Sequence, residues 1–130
     1  MKKTPSLILI LTALLLWGGL SFAGEIELSG TWVGTTEVPD MGTDEVTLVL
    51  TQENGLYAGT ITDTLGMANE AECTEILFEN NTLTFNFSIY NGYEFVEIYC
   101  TLTVEEEALT GQWESEDGNM ADIRLERKKE

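Results

Sequence analysis

The feature that most constrains this chain is a two-residue alternation of apolar and polar side chains. In 82–90, Leu83, Phe85, Phe87 and Ile89 alternate with Thr84, Asn86 and Ser88. In 45–53, Val46, Leu48 and Leu50 alternate with Thr47 and Thr51. Successive side chains of a strand point to opposite faces, so this period marks a strand with one buried face; a helix would need a period near 3.6. Helical periodicity is nearly absent. Turn residues break the pattern about every eight to twelve positions, the spacing of short antiparallel strands. The pattern predicts eight strands, near 29–37, 45–53, 56–63, 74–79, 82–90, 93–104, 109–116 and 120–127. Eight consecutive strands with short connections predict an all-β fold: an eight-stranded antiparallel up-and-down β-barrel that closes its own edges.

Turn chemistry predicts the register. Asn54-Gly55 is the strongest two-residue hairpin signal, because both positions tolerate a left-handed backbone. Loops of two residues at Asn54-Gly55, Asn80-Asn81 and Asn91-Gly92 set Leu50 opposite Gly59, Phe78 opposite Leu83 and Phe87 opposite Val96. They also set Ile76 opposite Phe85, and Phe85 opposite Ile98. A three-residue loop at Asp117-Gly118-Asn119 sets Trp113 opposite Ile123 and Gly111 opposite Leu125. A shorter loop there would bring Trp113 against Asp122. With these loops the inward face meets the inward face, as register demands when one face is buried.

The first 23 residues predict a secretory leader. Lys2 and Lys3 precede an apolar run from Leu7 to Trp17, and Ser21-Phe22-Ala23 supplies small residues for cleavage after Ala23. A membrane span needs about 20 continuous apolar residues, and Gly18-Gly19 interrupt this run. The expectation is an exported protein, periplasmic or secreted, with no stable membrane insertion after cleavage. The remainder, 24–130, is the size of one domain.

All 23 acidic residues lie in that remainder, opposed by Arg124, Arg127, Lys128 and Lys129 alone, a balance of −19. Nucleic acid and anionic membranes would repel such a surface. Solubility, a cationic partner or a divalent cation fit it. Cys73 and Cys100 are the only cysteines. An exported chain with an even count suggests a disulfide. The register argues otherwise, since it turns Cys100 inward level with Leu83 and places Cys73 about five residues further up on the opposite face. A bridge needs Cα atoms within about 7 Å, so it requires a bulge or loop to reset the fourth strand.

Gly30-Thr31-Trp32 on the first strand, Leu109-Thr110-Gly111 with Trp113, and the final Ile-x-Leu-x-Arg resemble the lipocalin and calycin barrels, and the short lipocalin-like domains of bacterial secreted proteins. The chain departs from that family in being shorter and in leaving no room for a helix after Arg127. The resemblance implies that Arg127 packs across Trp32 at the closed end. Connections then alternate between ends. The 38–44 and 64–70 loops, Asn91-Gly92 and 117–119 fall at the open mouth. Glu37, Asp40, Asp44, Asp63, Glu70 and Asp117 would ring it with negative charge. Such a rim selects against anionic ligands and tolerates neutral or cationic ones, or a basic protein.

The expected ligand-facing interior includes Leu48, Leu50, Tyr57, Ile61, Phe85, Phe87, Val96, Ile98 and Trp113. Gly34, Gly59 and Gly111 face the same way. Either they accommodate neighbouring rings in a filled core, or they leave a cavity. Catalysis is not expected. The chain has no histidine, which removes the usual general base and the commonest metal ligand. Two cysteines alone do not make a zinc site, and no glycine-rich phosphate loop precedes a helix. No cofactor or metal is expected. The expectation is therefore a binding module for a small apolar ligand, neutral or cationic. The alternative is a protein-interaction module, such as an inhibitor of a basic enzyme, motivated by the charge and by outward Phe95 and Tyr99.

Overall fold

The computed structural model describes residues 26–129; the leader reading of 1–23 lies outside them. Eight strands follow in order: β1 (Gly30–Val38), β2 (Gly42–Glu53), β3 (Leu56–Asp63), β4 (Ala71–Glu79), β5 (Thr82–Tyr90), β6 (Phe95–Glu105), β7 (Ala108–Ser115) and β8 (Met120–Arg127). Each pairs antiparallel with the next, and β8 returns to β1, closing the barrel. The fold is the expected all-β up-and-down barrel.

The turns behave as their residues require at the closed end. Asn54 and Gly55 both take positive φ, as do Asn80 and Asn81, giving hairpins whose twist matches that of the strands. Leu50 faces Gly59 and Phe78 faces Leu83, as expected.

Three registers differ from expectation. The β5–β6 hairpin pairs Tyr90 with Phe95, so its loop has four residues and Phe87 faces Ile98, not Val96. The reason is Asn91, whose Oδ1 accepts the backbone N–H groups of Tyr93 and Glu94 and draws both into the turn. The β7–β8 register brings Trp113 against Ala121 and Gly111 against Ile123. There Ser115 closes the loop, its N–H reaching the carbonyl of Asn119 and its hydroxyl bonding Asp117. In β4 the pairing with β5 slips between Thr74 and Leu77, where Glu75 takes φ 52°, so Ile76 does not sit squarely opposite Phe85.

That bulge rotates Cys73 inward, and both cysteines are buried. They are nevertheless separate thiols, correcting the expected disulfide. Cys73 lies beside Gly59 on β4, whereas Cys100 lies on β6 between Phe85 and Trp113. With β5 between them the backbones stand about 10 Å apart at ordinary strand spacing, beyond a bridge's reach.

Two of the three interior glycines serve a close approach of backbones. A Cβ on Gly34 would lie 1.8 Å from the Arg124 carbonyl oxygen, and one on Gly111 would lie 1.9 Å from that of Thr101. They let one strand's backbone press on its neighbour where a small barrel bends sharply.

The closed end is plugged from below. Leu28 is fully buried, its N–H donates to the Tyr57 hydroxyl, and its carbonyl accepts the Trp32 indole N–H at 3.0 Å. Above this plug Leu48, Leu50, Leu83, Phe85 and Leu102 form a solid layer, each at most 1% exposed. One seam is weaker than the rest. Between β3 and β4 pairing is confined to Gly59–Cys73, Thr60–Glu72 and Ile61–Ala71. Below Gly59 the two strands part.

Candidate functional site

The solid layer does not extend to the mouth. Between it and the 39–41 turn lies a cavity of about 60 Å³, room for about five heavy atoms by the volume a buried water needs. Its wall is apolar on most sides, with Val46, Ile61, Phe87, Ile98, Trp113 and Ile123 contributing. Met67 and Ala68 come from the 64–70 loop, and Thr36, Asp44 and Asp63 are the oxygen-bearing residues of the lining.

Thr36 is internally satisfied. Its hydroxyl accepts the Trp113 indole N–H at 2.8 Å and donates to the Asp122 carbonyl at 2.6 Å. This pins the Trp113 ring against one wall.

The two aspartates hold the mouth loop in place. Asp44, 3% exposed, accepts through Oδ1 from the N–H groups of Thr64 and Leu65, both at 3.1 Å. Asp63 accepts through Oδ1 from Met67 and Ala68 at 2.9 and 2.8 Å. Each carboxyl thus spends one oxygen on the backbone of the loop. Burial pushes Asp44 up to about 6, helped by a hydrogen bond it makes to Asp63 when protonated and by the Asp63 charge. Asp63 Oδ2 is buried and finds no other donor. No lysine or arginine lines the cavity.

Of the expected ligand-facing residues, Ile61, Phe87, Ile98 and Trp113 line this cavity. Leu48, Leu50 and Phe85 lie in the solid layer beneath it. Val96 is buried and faces Ile89 across the β5–β6 ladder. Tyr57 is at the other end, bonded to Leu28. Trp32 and Arg127 also meet at that end: the guanidinium carbon lies 4.4 Å from the centre of the Trp32 ring. The expected acidic rim is divided. Glu37, Asp40, Glu70 and Asp117 are exposed, whereas Asp44 and Asp63 turn to the cavity.

Asp44 and Asp63 were expected at the rim and not on the inner wall, and Thr36 was not expected at the site, yet the signal was there. Asp44 continues the inward parity of Val46, Leu48 and Leu50; Asp63 continues that of Gly59 and Ile61; Thr36 that of Trp32 and Gly34. Starting β2 at Glu45 placed Asp44 in a loop that does not exist. The β1–β2 connection is a tight turn over 39–41, and Asp44 stands on the strand.

At the rim, the β5–β6 hairpin exposes aromatic surface. Tyr90 and Phe95 pack with ring centres 5.2 Å apart, and Tyr93 is 90% exposed. Among the described residues no group of three or more Cys, Asp or Glu side chains is placed to hold a metal ion. Nor is any helix there long and apolar enough to cross a membrane.

Together these features define a closed barrel, solid at one end and hollow at the mouth. No protein-family model, curated protein or solved structure matches the chain.

Proposed function

We propose that this protein is an exported binding module of lipocalin-like type that takes a small apolar ligand, neutral or cationic, into the barrel mouth. The mouth cavity carries this reading: small-molecule sites are concave and mostly apolar, and this one is lined by Val46, Ile61, Phe87, Ile98 and Trp113. The Gly30-x-Trp32 motif and the Arg127 guanidinium over that ring support the lipocalin-like assignment. The charged, apolar, small-residue order of the first 23 residues supports export, to the periplasm or beyond. Binding rather than catalysis is favoured by the absence of histidine from the sequence. Mass spectrometry of the protein purified under native conditions tests the reading. A reproducible small bound mass, lost when the cavity is filled by Ala68→Leu, is the expected result; unliganded protein in every preparation speaks against it.

The exposed aromatic hairpin favours a second reading. Phe95 is 70% exposed beside Tyr90 and Tyr93, on a rim that also bears Glu37, Asp40, Glu70 and Asp117. Apolar rings bordered by acidic groups suit a basic protein partner, such as an enzyme that this barrel would inhibit. Pull-down at low and high salt separates the two readings, since only the protein complex dissolves as salt rises.

A further inference from the structure

The barrel wall is not paired along its whole length. β4 pairs with β5 at Thr74 and again at Leu77, Phe78 and Glu79, but its pairing with β3 stops at Gly59–Cys73. Over 74–79 the β3 side of the strand therefore has no strand beside it. The residues flanking a two-residue turn bond each other, and around Asn80-Asn81 these are Glu79 and Thr82. Alternation then turns the N–H and C=O of Phe78 away from β5 and into the gap. Between the tip at Gly55 and the tip at Asn80-Asn81 lies a groove of about 530 Å³, lined by Ile26, Tyr57 and Phe78. It shares no lining residue with the mouth cavity.

An open strand edge is a template for an added strand, whose main chain supplies the bonds and whose alternate side chains decide which partner fits. Beside the gap β4 presents Glu75, Leu77 and Glu79, all exposed, with Leu77 at 54%. Leu56 of β3 is exposed as well. A second copy of the chain fits this edge poorly. Antiparallel pairing of two β4 edges about Leu77 would set each Glu75 against a Glu79, and like charges directly opposite are destabilising. Both copies would also carry the same acidic excess. The glutamates that exclude a second copy favour a strand with a cation at each of those positions and an apolar residue between. No lysine or arginine of this chain lines the groove to compete for them.

We propose that the unpaired β4 edge is a docking site for an extended segment of a basic protein, laid beside 74–79 as a further strand. Its outward positions read cation, apolar, cation against Glu79, Leu77 and Glu75. Its inward positions are apolar and cover Ile26, Tyr57 and Phe78. The site is separate from the mouth cavity and from the aromatic hairpin, so it is decided apart from both readings above.

The probe is the capped pentapeptide Lys-Val-Leu-Val-Lys. Its controls are Glu-Val-Leu-Val-Glu and the lysine peptide N-methylated at both valines. Titrations of the purified protein are followed by its backbone amide resonances. The lysine peptide should move the amide of Phe78 and slow its exchange with solvent, and the glutamate peptide should not bind. N-methylation removes the strand bonds and keeps the charges, so it should weaken binding about tenfold. Glu75→Lys combined with Glu79→Lys should weaken the lysine peptide about tenfold and admit the glutamate peptide. Glu79→Lys alone gives the same reversal, about threefold, should the double variant not fold. Equal binding of the methylated peptide overturns the strand pairing. Shifts confined to Tyr93 and Phe95 overturn the site and assign basic segments to the aromatic hairpin. Loss of the Phe78 resonance as protein concentration rises, with no peptide present, makes a second copy the occupant and overturns the assignment. Absence of any shift overturns it too, and leaves both readings of the mouth as they stand.

Discussion

The guanidinium of Arg127 lies over the ring of Trp32 at 4.4 Å and, in the same pose, bonds the carbonyls of Ser29 and Glu27 at 2.8 and 2.9 Å. One side chain thus covers the buried indole and ties the last strand to the segment that enters the first. It also reaches Glu107 in the β6–β7 turn at 2.9 Å.

Replacing Arg127 by alanine should cost about 2 kcal/mol, from a partly exposed cation–π contact and two charge-assisted bonds to carbonyls. Arg127→Lys should recover less than half of that, since an ammonium cannot span two carbonyls while lying flat on a ring. Urea unfolding of the two variants measures both.

Gly111→Ala should destabilise by about 3 kcal/mol or more, because the added carbon meets the Thr101 carbonyl and not a side chain that can swing away. Gly34→Ala should behave alike against Arg124. A large fall in denaturation midpoint for both is expected; midpoints near wild type would show that the strands can separate there without cost.

Stability should carry a signature of Asp44. Its folded value near 6 lies above the ordinary 3.8, so between those limits the folded state keeps a proton that the unfolded chain has released. The stabilisation is fully present below about pH 4 and is lost as pH rises through about 6. Asp44→Asn removes the titration and can still accept from Thr64 and Leu65. The stability of the variant relative to wild type should therefore increase between pH 4 and 7. A flat difference across that range would show that Asp44 does not titrate there.

Both thiols should resist modification in the folded protein. Burial pushes Cys73 up to about 12 and Cys100 higher still, and the thiolate is the reactive form. Two equivalents of a thiol reagent should react in denaturant without prior reduction, and almost none before unfolding.

How much of this was legible in the sequence depended on where the information is stored. The strands and two of the hairpins at the closed end follow from alternation and from Asn-Gly and Asn-Asn, which are properties of adjacent residues. At the mouth, the loop lengths depend on side chains folding back on their own backbone. Asn91 and Ser115 do this, and each lengthens its loop beyond what the turn residues alone suggest. The facing of Cys73 depends on a left-handed Glu75, a residue type that gives no warning of such a conformation. The aspartate pair was half visible. Parity turned Asp44 and Asp63 inward, but a chain with so many acidic residues offers no local reason to single out two. Their meeting depends on the β2–β3 register, which sets Val46 opposite Asp63.

The short ladder between β3 and β4 gives the wall an unequal hoop strength. Three residue pairs hold that seam where the β1–β2 and β5–β6 seams have nine each. A cylinder under thermal strain opens along its weakest stave, and here that stave is edged by Cys73. The amides of Cys73 and Ile61 should exchange with solvent sooner than those of Phe87 or Ile98, which border the same cavity as Ile61 from the long β5–β6 ladder. The rate at which Cys73 slowly takes up a thiol reagent would then clock the opening of the seam itself, with unfolding of the rest of the barrel read separately from Cys100.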